Sequence, residues 1–143
     1  MHPIVCIDDK NGMMFHHRRL SRDRLLLADV QHLHCGRQLW MNAYSAALFA
    51  DGQARVTVAE DFLYRASPGD FCFVEDAPLL PVIERIETIY LYRWNRAYPA
   101  DLYLDLLPEQ YSWICTERKD FAGFSHLKIT REHYVRRREN GQT

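Results

Sequence analysis

The chain has 143 residues, 48% of them hydrophobic and 13% aromatic, with a formal net charge of -1. That is enough chain for one domain with its own buried core, and the composition excludes a disordered or fibrous protein. The near-zero charge excludes a global field for nucleic acid or an acidic membrane, so any basic site is local. The apolar runs are too short to span a bilayer. The start, MHPIVCIDDKNG, lacks the charged-then-apolar pattern of a signal peptide. Cys6, Cys35, Cys72 and Cys115 are widely spaced, without CxxC. The expectation is a cytoplasmic protein with four structural thiols and no membrane association.

In chain order, PIVCIDD (3–9) reads as a strand apolar on both faces. The stretch NGMMFHHRRLSRDRLL (11–26) begins as a basic, histidine-rich loop. A helix is expected over 21–34, capped by Ser21 or Asp23, with Leu26, Val30 and Leu33 at helical spacing and Gly36 as its stop. A strand (37–42) and a short helix (43–50) follow, ended by Asp51-Gly52, then an alternating strand (54–60) and a short helix or turn (60–70). FCFVE (71–75) is a buried strand, 77–86 a helix with Pro78 near its first turn and a start shortened or distorted by Pro81, and 87–95 a strand. Residues 98–110 read as an extended return, and strands 111–121 and 126–137 as a hairpin over AGFS. Residues 1–137 form one domain and 138–143 a polar tail. The fold class is α/β: a single mixed, mostly parallel central sheet flanked by helices on both faces, closed by a C-terminal antiparallel hairpin.

This order resembles dihydrofolate reductase over nearly the whole chain, through many weak matches in register. IVCIDDKNGMMFHHRRLSRDRLLLADV is similar in layout to that family's first strand, mobile loop and first helix. Met41-Asn42-Ala43 stands where the family has Met-Gly-Arg, Glu75-Asp76 where it has Gly-Gly, and Thr88-Ile89-Tyr90-Leu91-Tyr92 fits its KLYLT strand. Ala100-Asp101-Leu102 sits at the distance of its Gly-Asp-Thr step, and SWICTERKDFAGFSHLKITREHYVRR resembles its last two strands.

The resemblance implies a reductase fold whose reductase chemistry is damaged. At the family's Gly-Gly the backbone lies against the dinucleotide phosphates, because glycine alone leaves room. Glu75 and Asp76 add bulk and negative charge there. The phosphate-holding arginine is Ala43, the helix carboxylate falls on Leu26 with Asp23 and Asp29 a turn to either side, and the partner threonine is Tyr92.

Arg18, Arg19, Arg22 and Arg24, with His16 and His17, gather positive charge before a helix N-terminus, where an anion is favoured. The bland alternative pairs these arginines with Asp8, Asp9, Asp23 and Asp29. Asn42, Tyr44 and Tyr92 join the ligand-binding candidates; Asp23 and His17 are the catalytic ones. His32 and His34 lie on different sides of a helix, and no metal is expected. Asp8-Asp9 and Glu75-Asp76 end strands that converge on one sheet edge. Tyr90, Tyr92 and Trp94 share one strand face, a dimer surface or ligand wall if open. The leading expectation is a degenerate, non-reductase protein binding a small anionic ligand, a nucleotide, phosphate or RNA, through residues 16–24, with no cofactor. The alternatives are an NAD(P)H-dependent reductase of a pterin-like heterocycle with Asp23 as its acid, and a phosphodiesterase or ribonuclease using His16 or His17 with the arginines.

Overall fold

The structure is a computed structural model, described over residues 1–50 and 55–137. The Asp51-Gly52 stop and the polar tail 138–143 lie outside the described residues. Strands β1 (His2–Ile7), β4 (Leu39–Met41), β5 (Val56–Val58), β6 (Phe71–Val74), β7 (Thr88–Arg93), β9 (Ile114–Phe121) and β10 (Ile129–Val135) form one sheet in the order β5-β4-β6-β1-β7-β10-β9. The first five are mutually parallel. β10 pairs antiparallel with β7 and with β9, so the C-terminal hairpin forms the antiparallel edge. The sheet is mixed and mostly parallel, as expected.

Alternation along the central strands divides the core by face. Ile4, Phe71, Phe73, Tyr92 and Trp94 belong to one buried cluster, with Leu26 and Val30 of helix α1 (Arg24–Leu33) and Phe49. Val5, Ile7, Cys72, Val74, Ile89 and Leu91 belong to the other, with Phe62 and Leu63 of α3 (Phe62–Arg65). Burying a Leu, Val or Phe side chain stabilises by about 1.5–3 kcal/mol, so β1, buried on each face, anchors the molecule. All four cysteines are free thiols.

The helical expectations need correction. Among the described residues α1 is the only α-helix longer than four residues, and it starts at Arg24, three residues later than expected. Residues 43–50 divide into α2 (Ala43–Ala46) and a 3-10 turn, Ala47–Phe49. Residues 77–86 are not an α-helix: Leu80–Arg85 is a kinked 3-10 segment with Val82 at φ -114°, ψ 16°. Pro81 has no amide to donate and its ring blocks a regular helix. The Leu79 and Leu80 amides donate instead to the Asp105 carboxylate, at 2.9 and 3.0 Å. The layer over that face is thus one short helix and turns. The 98–110 return contains β8 (Leu102–Tyr103) and runs into a 3-10 turn at Pro108–Tyr111, so β9 starts at Ile114 rather than 111.

Candidate functional site

The basic stretch is not a loop. Gly12–Phe15 (β2) and Arg18–Arg19 (β3) pair antiparallel, Met14 opposite Arg19 and Phe15 opposite Arg18, and β8 pairs along the other side of β2. The connection is His16-His17, with φ of 50° and 63°. Two consecutive left-handed residues mark the tight turn whose twist matches paired strands. Gly12 is required where it stands: a Cβ would lie 2.6 Å from Ala100 Cβ and 2.9 Å from Asp8 Oδ1. Asp8 Oδ1 also accepts from the Gly12 amide at 2.7 Å, and its Oδ2 from the Tyr98 amide at 3.0 Å.

The four arginines separate. Arg19 lies inward, donating to Glu75 through Nε at 2.8 Å and Nη2 at 3.0 Å, with its guanidinium 4.4 Å over the Tyr44 ring. The bonds to Glu75 outweigh burial and keep this guanidinium firmly charged. Ser45 Oγ donates to the same carboxylate at 2.7 Å. Asn42 caps α2 by accepting from the Ser45 amide and donates to Asp76, both at 3.0 Å. The Ala43 amide donates to Glu60 at 2.9 Å. The chain ends at β4 and β6 are therefore filled by internal carboxylates, and Glu75 is the carboxylate the arginine run pairs with. Arg18, Arg22 and Arg24 have no carboxylate partner among the described residues.

Arg22 and Arg24 flank a surface cleft of ≈ 770 Å³ whose walls include Leu27, Leu48, Phe49 and Phe124. Arg24 lies 4.4 Å over the Phe124 ring. A narrow slot of ≈ 20 Å³ adjoins it, sharing Arg22, Asp23, Leu27 and Leu48, and adding Ser21 and Glu75. Arg18 and His16 border a separate, shallow depression with Tyr98. His17 stands exposed at the hairpin tip and lines neither cavity.

Asp23 is the most heavily bonded group here. Its side chain has no exposed surface. Oδ1 accepts from the Leu25, Leu26 and Phe124 amides at 2.9, 3.4 and 2.9 Å. Oδ2 accepts from the Ser125 amide at 2.9 Å and His126 Nδ1 at 2.7 Å. Burial alone would raise this carboxyl, but the bonds from Phe124, Ser125, His126 and Leu25 outweigh it and hold it well below the usual carboxylate range. It stays ionised and ties the start of α1 to the β9–β10 connection. His126 continues the chain of bonds: Nε2 lies 2.9 Å from Ser21 Oγ and 3.3 Å from Tyr98 Oη, and the ring stacks on Trp94 at 4.7 Å.

Leu26, on which the resemblance places the helix carboxylate, is core, 1% exposed. Tyr92 is fully buried and its hydroxyl donates to Asp29 at 2.6 Å, so it packs beneath α1 rather than facing the cleft. Tyr44 is exposed and bound to the hairpin through Arg19. Sequence reasoning named Ser21 and Asp23 as caps and missed their joint link to His126, which lies 103 residues from Asp23. Among the described residues no group of His, Cys, Asp or Glu has the arrangement of a metal site, and no helix is long and apolar enough to cross a membrane.

No protein-family model and no curated protein matches this sequence. Among solved structures the chain is similar to dihydrofolate reductase from Enterococcus faecalis complexed with NADP(H) and RAB-propyl, with a TM-score of 0.65 and 10% identity over 96% of each chain. The chain therefore has a dihydrofolate reductase-like α/β fold.

Proposed function

We propose that this protein has exchanged reductase chemistry for the binding of a small anionic ligand with an apolar body. The observation that carries this is the placing of Arg22 and Arg24 at the rim of an apolar-walled cleft, with no carboxylate partner among the described residues. The cleft falls in the volume range of small-molecule sites, about 300–1,000 Å³. A guanidinium at its rim supplies a fork for a carboxylate or phosphate. The anion-binding segment thus narrows from residues 16–24 to Arg22 and Arg24, because Arg19 is committed to Glu75 and Arg18 lies outside the cleft.

Loss of the dinucleotide site is supported by Glu75, Asp76 and Glu60. These carboxylates accept the bonds of Arg19, Ser45, Asn42 and the Ala43 amide. Glu75 and Asp76 lie where the reductase resemblance puts phosphate, and a pyrophosphate there would meet their charge. Asp23 as reductase acid is disfavoured by the donors that keep it ionised. The test is calorimetric titration of the protein at low salt with nucleoside monophosphates and NADPH. A saturable response to a monophosphate is expected, weakened about tenfold (about 1.4 kcal/mol) by Arg22→Ala or Arg24→Ala and by raised salt. Tight NADPH binding indifferent to both substitutions would return the protein to the reductases.

A further inference from the structure

The bonds around His126 have a direction. Asp23 is ionised and accepts at Nδ1, so Nδ1 carries the proton and Nε2 presents its lone pair. The nearest group to Nε2 is Ser21 Oγ at 2.9 Å; Tyr98 Oη is farther, at 3.3 Å. The ring is clamped by stacking on Trp94. A carboxylate, an imidazole and a hydroxyl in this order and at these distances are how a serine is turned into a nucleophile, whatever the order of the residues in the chain. Ser21 also lines the narrow slot that adjoins the cleft. At ≈ 20 Å³ the slot has room for one water molecule or a carbonyl oxygen. The amide of Arg22 donates no hydrogen bond among the described residues. It belongs to the residue after the serine, the position that supplies an oxyanion donor in many serine hydrolases.

We propose that Ser21 and His126 are catalytic residues, with Asp23 positioning the imidazole, and that the protein hydrolyses a carboxylic ester bound in the adjoining cleft. Ser21 Oγ forms a bond to the ester carbonyl carbon as its proton passes to His126 Nε2. The carbonyl electrons move onto oxygen, beside the Arg22 amide. On collapse the bond to the alcohol oxygen breaks, and His126 returns the proton to that oxygen. A water molecule then attacks the acyl-serine, giving its proton to Nε2, from which it passes to Ser21 Oγ as the acid leaves. One ester and one water become one acid and one alcohol. If the Arg22 and Arg24 reading also holds, the preferred ester carries an anionic group, but the relay does not depend on it.

Three reagents separate these claims. Diisopropyl fluorophosphate is uncharged and reports on the nucleophile alone: Ser21 Oγ gains a bond to phosphorus as fluoride leaves. Intact mass and peptide mapping are expected to show one adduct, on Ser21. The adduct is absent in Ser21→Ala, a half-buried position that loses one side-chain bond, and forms at least a hundredfold more slowly in His126→Gln. No adduct on Ser21, or one that forms as fast in a folded His126→Gln variant, overturns the proposal. If His126→Gln fails to fold, turnover of 4-nitrophenyl butyrate decides: it is expected in the wild type and abolished in Ser21→Ala, and equal turnover in the two overturns the relay. 4-Nitrophenyl hemisuccinate tests the cleft. Labelling of Ser21 with no preference for this anionic ester over the butyrate supports the relay and counts against the anion site.

Discussion

At the scale of single residues, Asp23 shows how a local rule and a long-range one can use the same side chain. Its extended backbone and side-chain oxygen make it the N-cap of α1, a role worth about 1 kcal/mol. The same carboxylate satisfies the Phe124 and Ser125 amides and His126 across the molecule. Removing it leaves those donors unpaired, at about 1–3 kcal/mol each where they are buried. Gly123 sits against it so closely that a Cβ there would approach Oδ2 to 2.6 Å. Asp23→Ala is therefore expected to cost about 3–7 kcal/mol by urea unfolding, the sum of a cap and two unsatisfied amides, and Asp23→Asn less, because one acceptor oxygen remains. A loss below about 1 kcal/mol would mean that only the cap matters.

At the scale of elements, the β2–β3 hairpin explains why the opening stretch reads as a loop in sequence. Asn11-Gly12 carries the usual turn signal, yet Gly12 already belongs to β2 and the tight turn falls on His16-His17. Histidine is a poor marker for that turn because a side chain at positive φ is strained. The strand partners decide the register instead: Met13 and Met14 are buried, whereas the turn and Arg18 are exposed. A double variant, His16→Asn with His17→Gly, relieves the strain and is expected to add about 1 kcal/mol. For a chain of this size that is a rise in Tm of about 3 °C. A fall in Tm on scanning calorimetry would show that the imidazoles do more than close the turn. The 77–86 segment fails as a helix for the opposite reason: Pro81 is a visible breaker, and its effect reaches past the start of the segment to leave only a kinked 3-10 stretch.

At the scale of the molecule, the alternating pattern and the closing hairpin made the mostly parallel sheet legible, because strand burial and period are properties of short stretches. The candidate site was legible only in part. The arginines were visible as a run, but which of them is free depends on Glu75, 56 residues from Arg19. The Ser21–His126 contact spans 105 residues, and no spacing within the chain encodes it. Burial and long-range bonds together give the whole fold a definite response to acid. His2 and His133 are held below the ordinary imidazole value, first by burial. Groups kept neutral in this way stabilise the fold above their unfolded pKa, about 6.5, and lose that contribution as pH falls through it. Glu132 is buried too. Burial would raise it, but bonds from Arg93, Tyr134 and Arg118 hold it below the ordinary carboxylate value, as the bonds to Asp23 do there. Depressed carboxylates contribute fully above their unfolded values, about 4, and lose that contribution as pH falls below them. Melting followed by circular dichroism is therefore expected to show two stages on acidification. A shallow decline begins near pH 6.5, since the two imidazoles are only partly buried, and a steep one below about pH 4.5. Asp23→Asn is expected to flatten the second stage and leave the first unchanged. A Tm that holds constant down to pH 3 would mean that neither Asp23 nor Glu132 has the bonds assigned to it, and the tie between α1 and the β9–β10 connection would fall with them.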